Sequence, residues 1–367
     1  SLDAALANVD GVEPGEWDIP LTFEATHGPF LFADDGGLGL VSWKMQVPGD
    51  NLRDVLSWSE TSPFYQMKAT LGLTSQLSYQ DQITAFTSQE SIETQSNFSG
   101  YQGQGRYKGE VFHYQGEALQ FDASSVAGEL VVDKLVVDTQ IESSLEALFE
   151  SMVYDAKGKL NLASIKLNDS ATGQSLNLTD LYISSETEVN EVTGALDIGA
   201  TYGVKSIESD EFSGEDFALG LEINNLSQAF IQAYQGFAPS LANATGDQSA
   251  TLAMDFLDNH LLSLVSAEPE INITSLRGTI PEGSFESHFN ASLVGVSALP
   301  KQIDDTAFWL SHTLLDGQIK GDKAVIELAA KMFMVSQLKT NPQTQGMSAQ
   351  QLEQIASSQV PMLLQTI

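Results

Sequence analysis

The chain has 367 residues, with 49 Asp and Glu against 16 Lys and Arg, for a formal net charge of −33. Charge of that sign repels nucleic-acid phosphates and anionic headgroups, which argues against nucleic-acid binding and against membrane docking through a basic patch. With no cysteine there is no disulfide, thiolate nucleophile, zinc–thiolate site or iron–sulfur cluster, and no apolar run reaches the roughly 20 residues that span a bilayer.

Charged residues make up 18% of the chain, so Ser, Thr, Asn, Gln and Gly carry much of the polarity. That mix suits exposed strand faces better than helix surfaces. The sequence opens with Ser-Leu-Asp, with neither Met nor a signal-like segment, and the expectation is that a targeting or anchoring stretch has been removed. In "FEATHGPFLF" (23–32), apolar and polar residues alternate on both sides of His27, Gly28 and Pro29. Pro fixes φ and cannot donate to a ladder, and Gly tolerates the bend. His27, Gly28 and Pro29 therefore read as a structural corner of an early strand, at an edge or a bulge. "DDGG" (34–37) reads as a hairpin turn. "VSWKMQV" (41–47) alternates with period two, as a half-buried strand does.

"YQGQGRYKGE" (101–110) clusters glycines but lacks the strand before and helix after that a phosphate-binding loop requires. It is predicted as a loop or twisted edge strand, and as a soft joint. "TQIESSLEALFESMVY" (139–154) fits either an acidic helix or a pair of strands. "LDIGATYGV" (196–204), "FALGLEI" (217–223) and "FESHFNASL" (285–293) each put apolar residues on one face. Helical spacing marks 225–238, capped by Asn225 or Ser227, and 249–265, capped by Asp247 or Ser249. It also marks 323–338 and 348–365, with 339–348 as a linker.

The fold class that follows is α+β and β-dominated. Long antiparallel meander sheets, curved, carry a few amphipathic helices on one face or end. The expected divisions are 1–105, β-rich; 106–245, antiparallel β ending in a helix; and 246–367, helix, strands and terminal helices. One continuous elongated body is the alternative.

The five histidines, His27, His113, His260, His288 and His312, show no metal-ligand spacing. There is no Gly-x-Ser-x-Gly elbow and no calcium loop. Nothing selects a catalytic pair among Asp34–Asp35, Asp210–Glu211 and Asp304–Asp305. No catalytic, metal or cofactor residue is assigned, and no cofactor is expected.

"THGPF" (26–30), the long stretch 160–235 from "LNLASIKLND" to "SQAFIQAYQ", and "EPEINITSLRGTIPEGSFESHFNASLVG" (268–295) occur in one collinear order. In that order the chain resembles the YdgA-like family of bacterial envelope proteins of undetermined function, over residues 18–335. The resemblance implies a periplasmic body anchored in the inner membrane by an N-terminal helix that lies outside these residues. It implies no catalytic residues. The leading expectation is a non-enzymatic envelope protein that binds a lipid or other hydrophobic ligand, or an envelope protein partner. The alternative is a structural, self-associating protein such as a homodimer. A hydrolase of envelope polymers is the third reading, and it needs clustered acids in a cleft.

Overall fold

The computed structural model describes residues 20–28, 30–31, 37–89, 93–150, 153–242, 244, 246–340, 344 and 346–364. Pro29 and the Asp34, Asp35 and Gly36 of the expected hairpin turn lie outside the described residues, as do the first nineteen. The first half holds ten mostly short strands: β1 (Thr22–His27), β2 (Phe30–Leu31), β3 (Gly37–Leu38), β4 (Val41–Val47), β5 (Leu56–Ser57), β6 (Tyr65–Leu71), β7 (Leu77–Ile83), β8 (Phe86–Ser88), β9 (Gln95–Phe98) and β10 (Tyr101–Lys108). Long hairpin strands follow: β11 (Val111–Ser125), β12 (Gly128–Glu142), β13 (Asp155–Asp169), β14 (Ser175–Val189), β15 (Leu196–Ser209), β16 (Ser213–Leu226), β17 (Glu270–Ile280), β18 (Gly283–Leu293) and β19 (Thr313–Gly321). The helices are α1 (Leu145–Glu150), α2 (Gln228–Ala242), α3 (Gly246–Val265), α4 (Thr306–His312), α5 (Lys323–Thr340) and α6 (Ala349–Leu364).

Seventeen strands form one open sheet. Its ladders are antiparallel and run β1, β4, β6, β7, β10, β11, then β12 to β19 in chain order. β9 pairs with the second half of β11, β8 with β9, and β5 with β8. β2 and β3 make a separate pair. Residues 101–110 thus form an interior strand and its turn, not a loop or an edge. At the second expected division, β16 and β17 pair directly across the α2–α3 excursion.

Local chemistry sets the turns. Asp169 Oδ1 accepts from the backbone N–H of Ala171 and Thr172, and Gly173 follows at φ 70°. Asn190 Oδ1 does the same for Val192 and Thr193, with Gly194 at φ 69°. These two Asx turns, "DSATG" and "NEVTG", close the β13–β14 and β14–β15 hairpins. Gly109 and Glu110, at φ 62° and 64°, make the two-residue turn between β10 and β11.

A second device runs across the middle of the sheet. Register places Leu119, Lys134, Ala163, Asp180, Lys205 and Asp216 in one row. Lys134, Asp180 and Asp216, on alternate strands, have φ of 41°, 48° and 55°. The apolar alternation changes phase at this row: Leu130 and Val132 give way to Leu135 and Val137, and Leu176 and Leu178 to Leu181 and Ile183. Gly214 and Phe217 straddle Asp216 at opposite parity, yet a Cβ on Gly214 would meet the Phe217 ring. They share a face. The left-handed residues absorb the phase change, so one face stays apolar along the whole strand.

Helices pair mainly with each other. Phe256 of α3 stacks on Phe237 and meets Phe230 and Tyr234 of α2 edge-on. Ser227 Oγ accepts from the Phe230 N–H and caps α2. α5 and α6 pack on each other, with Val325, Leu352, Ala356 and Val360 buried and Lys331 3.3 Å from Glu353. α5 makes the main helical approach to the sheet, at β18. The strand faces at 217–223 and 285–293 stay partly open, while α2 and α3 turn their aromatic residues toward each other. The chain exposes 23538 Å², against about 14,000 Å² for a compact chain of this mass.

If the left-handed row keeps the faces in phase, β-branching there is penalised. Lys134→Val is expected to lower stability by roughly 1–2 kcal/mol in urea unfolding. Lys134→Gly, free at positive φ, is expected to cost less than about 1 kcal/mol.

Candidate functional site

Cross-strand register turns the alternation into continuous rows. Val137, Leu160, Ile183, Tyr202, Leu219 and Leu276 lie side by side on β12 to β17, and the row continues through Ser287 to Ile319 on β19. Eight strands at about 4.8 Å spacing give a row of about 34 Å. A flanking row carries Ile198, Ile223, Ile271, Ala291 and Leu315. Between them Thr139, Gly158, Ser185 and Ala200 form a floor of small side chains on β12 to β15. This face is not covered: Ile183 is 42% exposed, Tyr202 45% and Leu276 40%. A single apolar side chain in water needs no explanation, but a contiguous surface of this extent marks a place for a partner or ligand.

At the β10–β11 end the same face is closed. Ala69, Leu77 and Tyr107 are buried there, with Trp43, Met67, Leu71, Tyr79, Phe112 and the Leu145 of α1 packed around them. Next to this core, Tyr114 donates to Asp81 Oδ1 at 3.0 Å, and the Tyr101 and Tyr114 hydroxyls hydrogen-bond to each other. Two glycines make the space. A Cβ on Gly103 would overlap Asp81 and Tyr114, and one on Gly116 would overlap the Tyr101 hydroxyl. Burial pushes the Tyr79, Tyr101 and Tyr114 phenols up. It pushes the Asp81 carboxyl up as well, against the Tyr114 hydrogen bond that favours its charge. Asp81 thus accepts from one tyrosine, Tyr114, which is itself hydrogen-bonded to a second, Tyr101. The cluster is a polar, hydrogen-bonded stop at the end of the apolar surface.

The opposite face is polar and hollowed. A cavity of about 1250 Å³ lies over β1 to β11. In it Gln66, Gln82 and Gln102 stand in one cross-strand row, which Gln46 continues outside the cavity, with Gln66 Nε2 donating to Gln82 Oε1 at 3.1 Å. The next row holds Glu24, Lys44, Lys68, Gln80, Gln104 and Gln115. Further along, Lys157 pairs with Glu186 across β13 and β14, and Lys205 with Asp216 at 2.6 Å. Such a lining donates and accepts hydrogen bonds, and it includes Thr26, His27 and Ser42.

His27, the histidine singled out in the sequence, ends the exposed edge strand β1 opposite Val41. Gly28 has φ 123°, and its N–H donates to the Leu40 carbonyl at 3.1 Å. Neither joins the tyrosine cluster. His260 packs against Phe256, and His312 Nδ1 lies 2.9 Å from the Phe308 carbonyl and 3.1 Å from the Ser311 hydroxyl. No group of three or more metal-ligating side chains occurs among the described residues. No described helix is long and apolar enough to cross a membrane. The tyrosine–aspartate cluster and the glutamine rows were not singled out in the sequence. Their signal was "YQGQGRY" beside "HYQGEA": glycines alternating with Tyr and Gln at strand period.

Residues 5–367 match a family described as a bacterial protein of unknown function, DUF945. No curated protein matches the chain, and no solved structure does.

The raised Asp81 carboxyl has a signed consequence. Its protonated form is favoured by folding, so its contribution is present at low pH and lost as pH rises through the folded-state value. Asp81→Asn keeps an acceptor for Tyr114 and cannot ionise. It is expected to raise the urea midpoint at pH 7, with the gain vanishing near about pH 3.

Proposed function

The chain belongs to DUF945, a bacterial family of unknown function, and from that premise we propose that it is a non-enzymatic, periplasm-facing envelope protein that holds a hydrophobic ligand along the open apolar face of its sheet. The observation that carries this reading is the row from Val137 to Leu276, apolar on six successive strands and left accessible. Acyl chains suit such a surface, because they are long, apolar and need no directional partner. Burying a methylene there contributes about 0.8 kcal/mol. A lipid with its chains on this face could leave its headgroup near the sheet margin, in water.

The resemblance to the YdgA-like envelope family supports the location, and the absence of cysteine accords with an oxidising compartment. The acidity works against anionic headgroups. The reading therefore places the ligand's apolar part, not its charge, as the group recognised.

Native mass spectrometry of the whole chain tests the proposal, alongside titration with the fluorescent fatty acid parinaric acid. The expected result is a lipid-mass adduct and saturable fluorescence. Leu221→Glu lies in the middle of the face at a position 38% exposed. It is expected to weaken parinaric acid binding by about tenfold or more, with an unchanged circular dichroism spectrum. A ligand-free mass together with no saturable fluorescence would overturn the reading.

A further inference from the structure

β19 closes the ladder at one end of the sheet. It pairs with β18 along all nine of its residues, and no described strand lies against its other edge. Soluble proteins usually blunt such an edge with proline, a bulge or a very short strand. β19 has no proline and no bulge, and of the usual devices it carries only charged side chains, Asp316 and Lys320; its register with β18 is unbroken from Thr313 to Gly321. Its apolar side chains are strongly exposed, Leu315 at 63% and Ile319 at 76%.

The sequence "TLLDGQIKG" complements itself when a second copy runs antiparallel to it. With Gln318 opposite Gln318 of the second copy, Asp316 faces Lys320 of that copy and Lys320 faces its Asp316. Both pairs fall on the polar face, where Lys157–Glu186 already bridges neighbouring strands of one chain. On the apolar face Ile319 comes opposite Gly317 of the second copy. The register centred on Gly317 instead sets Lys320 against Leu314 and leaves both charges unmatched.

We propose that β19 is a homodimer interface, in which two copies join edge to edge about a two-fold axis at Gln318 and continue one antiparallel sheet across both. Isologous pairing of one edge with itself closes after two copies. Head-to-tail pairing of β19 with β1 would leave ends free and grow a fibre. The dimer stands independently of any ligand on the apolar face.

The absence of cysteine makes the test direct. Gln318→Cys puts one thiol per copy on the axis, and copper-phenanthroline oxidation is expected to link it into a disulfide dimer. Leu314→Cys, four residues or about 13 Å along the strand from the axis, is expected to stay unlinked. In sedimentation equilibrium the unsubstituted chain is expected to dimerise. Lys320→Asp, which sets acid against acid twice, should weaken the dimer by about tenfold or more. The swap Asp316→Lys with Lys320→Asp should restore it, which a folding defect could not do. A monomer at every concentration, species larger than a dimer, equal linking of both cysteines, or association indifferent to Lys320→Asp would each overturn the proposal.

Discussion

A side chain in an antiparallel sheet has two places to go, and a slip of one residue exchanges them. Everything else in this molecule depends on keeping that choice constant over strands as long as fifteen residues. The sequence does not keep strict alternation over such a length. It changes phase once, in the middle, and Lys134, Asp180 and Asp216 take left-handed backbone at the row where it does. Asp tolerates that region better than most residues because its short polar side chain bonds locally. Lys205 reaches Asp216 across the row, so the backbone irregularity also carries an ion pair.

A face kept apolar along each strand becomes a surface once register aligns the strands. Here that surface is only partly used for folding. Near β10 and β11 it is sealed by Trp43, Met67, Phe112 and Leu145 around a small buried core. Toward β19 it opens, since α2 and α3 satisfy each other through Phe256, and α5 and α6 pack on each other with Leu352, Ala356 and Val360 buried. Stability in the open region must come from neighbour-to-neighbour ladders and cross-strand pairs rather than from a central core, each worth a fraction of a kcal/mol to about 1 kcal/mol. Such a sheet resembles a repeat protein energetically: each hairpin leans on the next.

The strand faces were legible because period-two alternation is local. Leu196, Ile198, Ala200, Tyr202 and Val204 read as one face and form one, and the helical spacing at 323–338 matches α5 at Lys323–Thr340. What failed was anything decided by a neighbour distant in sequence. Residues 101–110 read as a loop or edge because their glycines weaken a strand in isolation. Their partners reverse that reading, as Tyr114 and Tyr101 lie in the space Gly103 and Gly116 leave. Residues 139–154 resisted assignment because they are both things, strand to Glu142 and helix from Leu145. The candidate surface was foreseeable as one-sided strands, but its extent depends on which residue meets which, and register is not written in any one strand.

The two faces also account for where the scarce basic residues stand. Lys44, Lys68, Arg106, Lys157, Lys159, Arg277 and Lys320 all fall in polar rows of the sheet, among Gln, Glu and Asp. A chain with a net charge of −33 repels itself most where acids stand in adjacent strands, since like charges directly opposite are unfavourable. Spending the few cations there relieves that repulsion at the shortest distances, and it keeps these seven cations off the other face. The acidity and the open apolar surface are therefore consequences of one arrangement: the polar face takes the charges of both signs, and the apolar face remains a place where only a non-polar partner gains by binding.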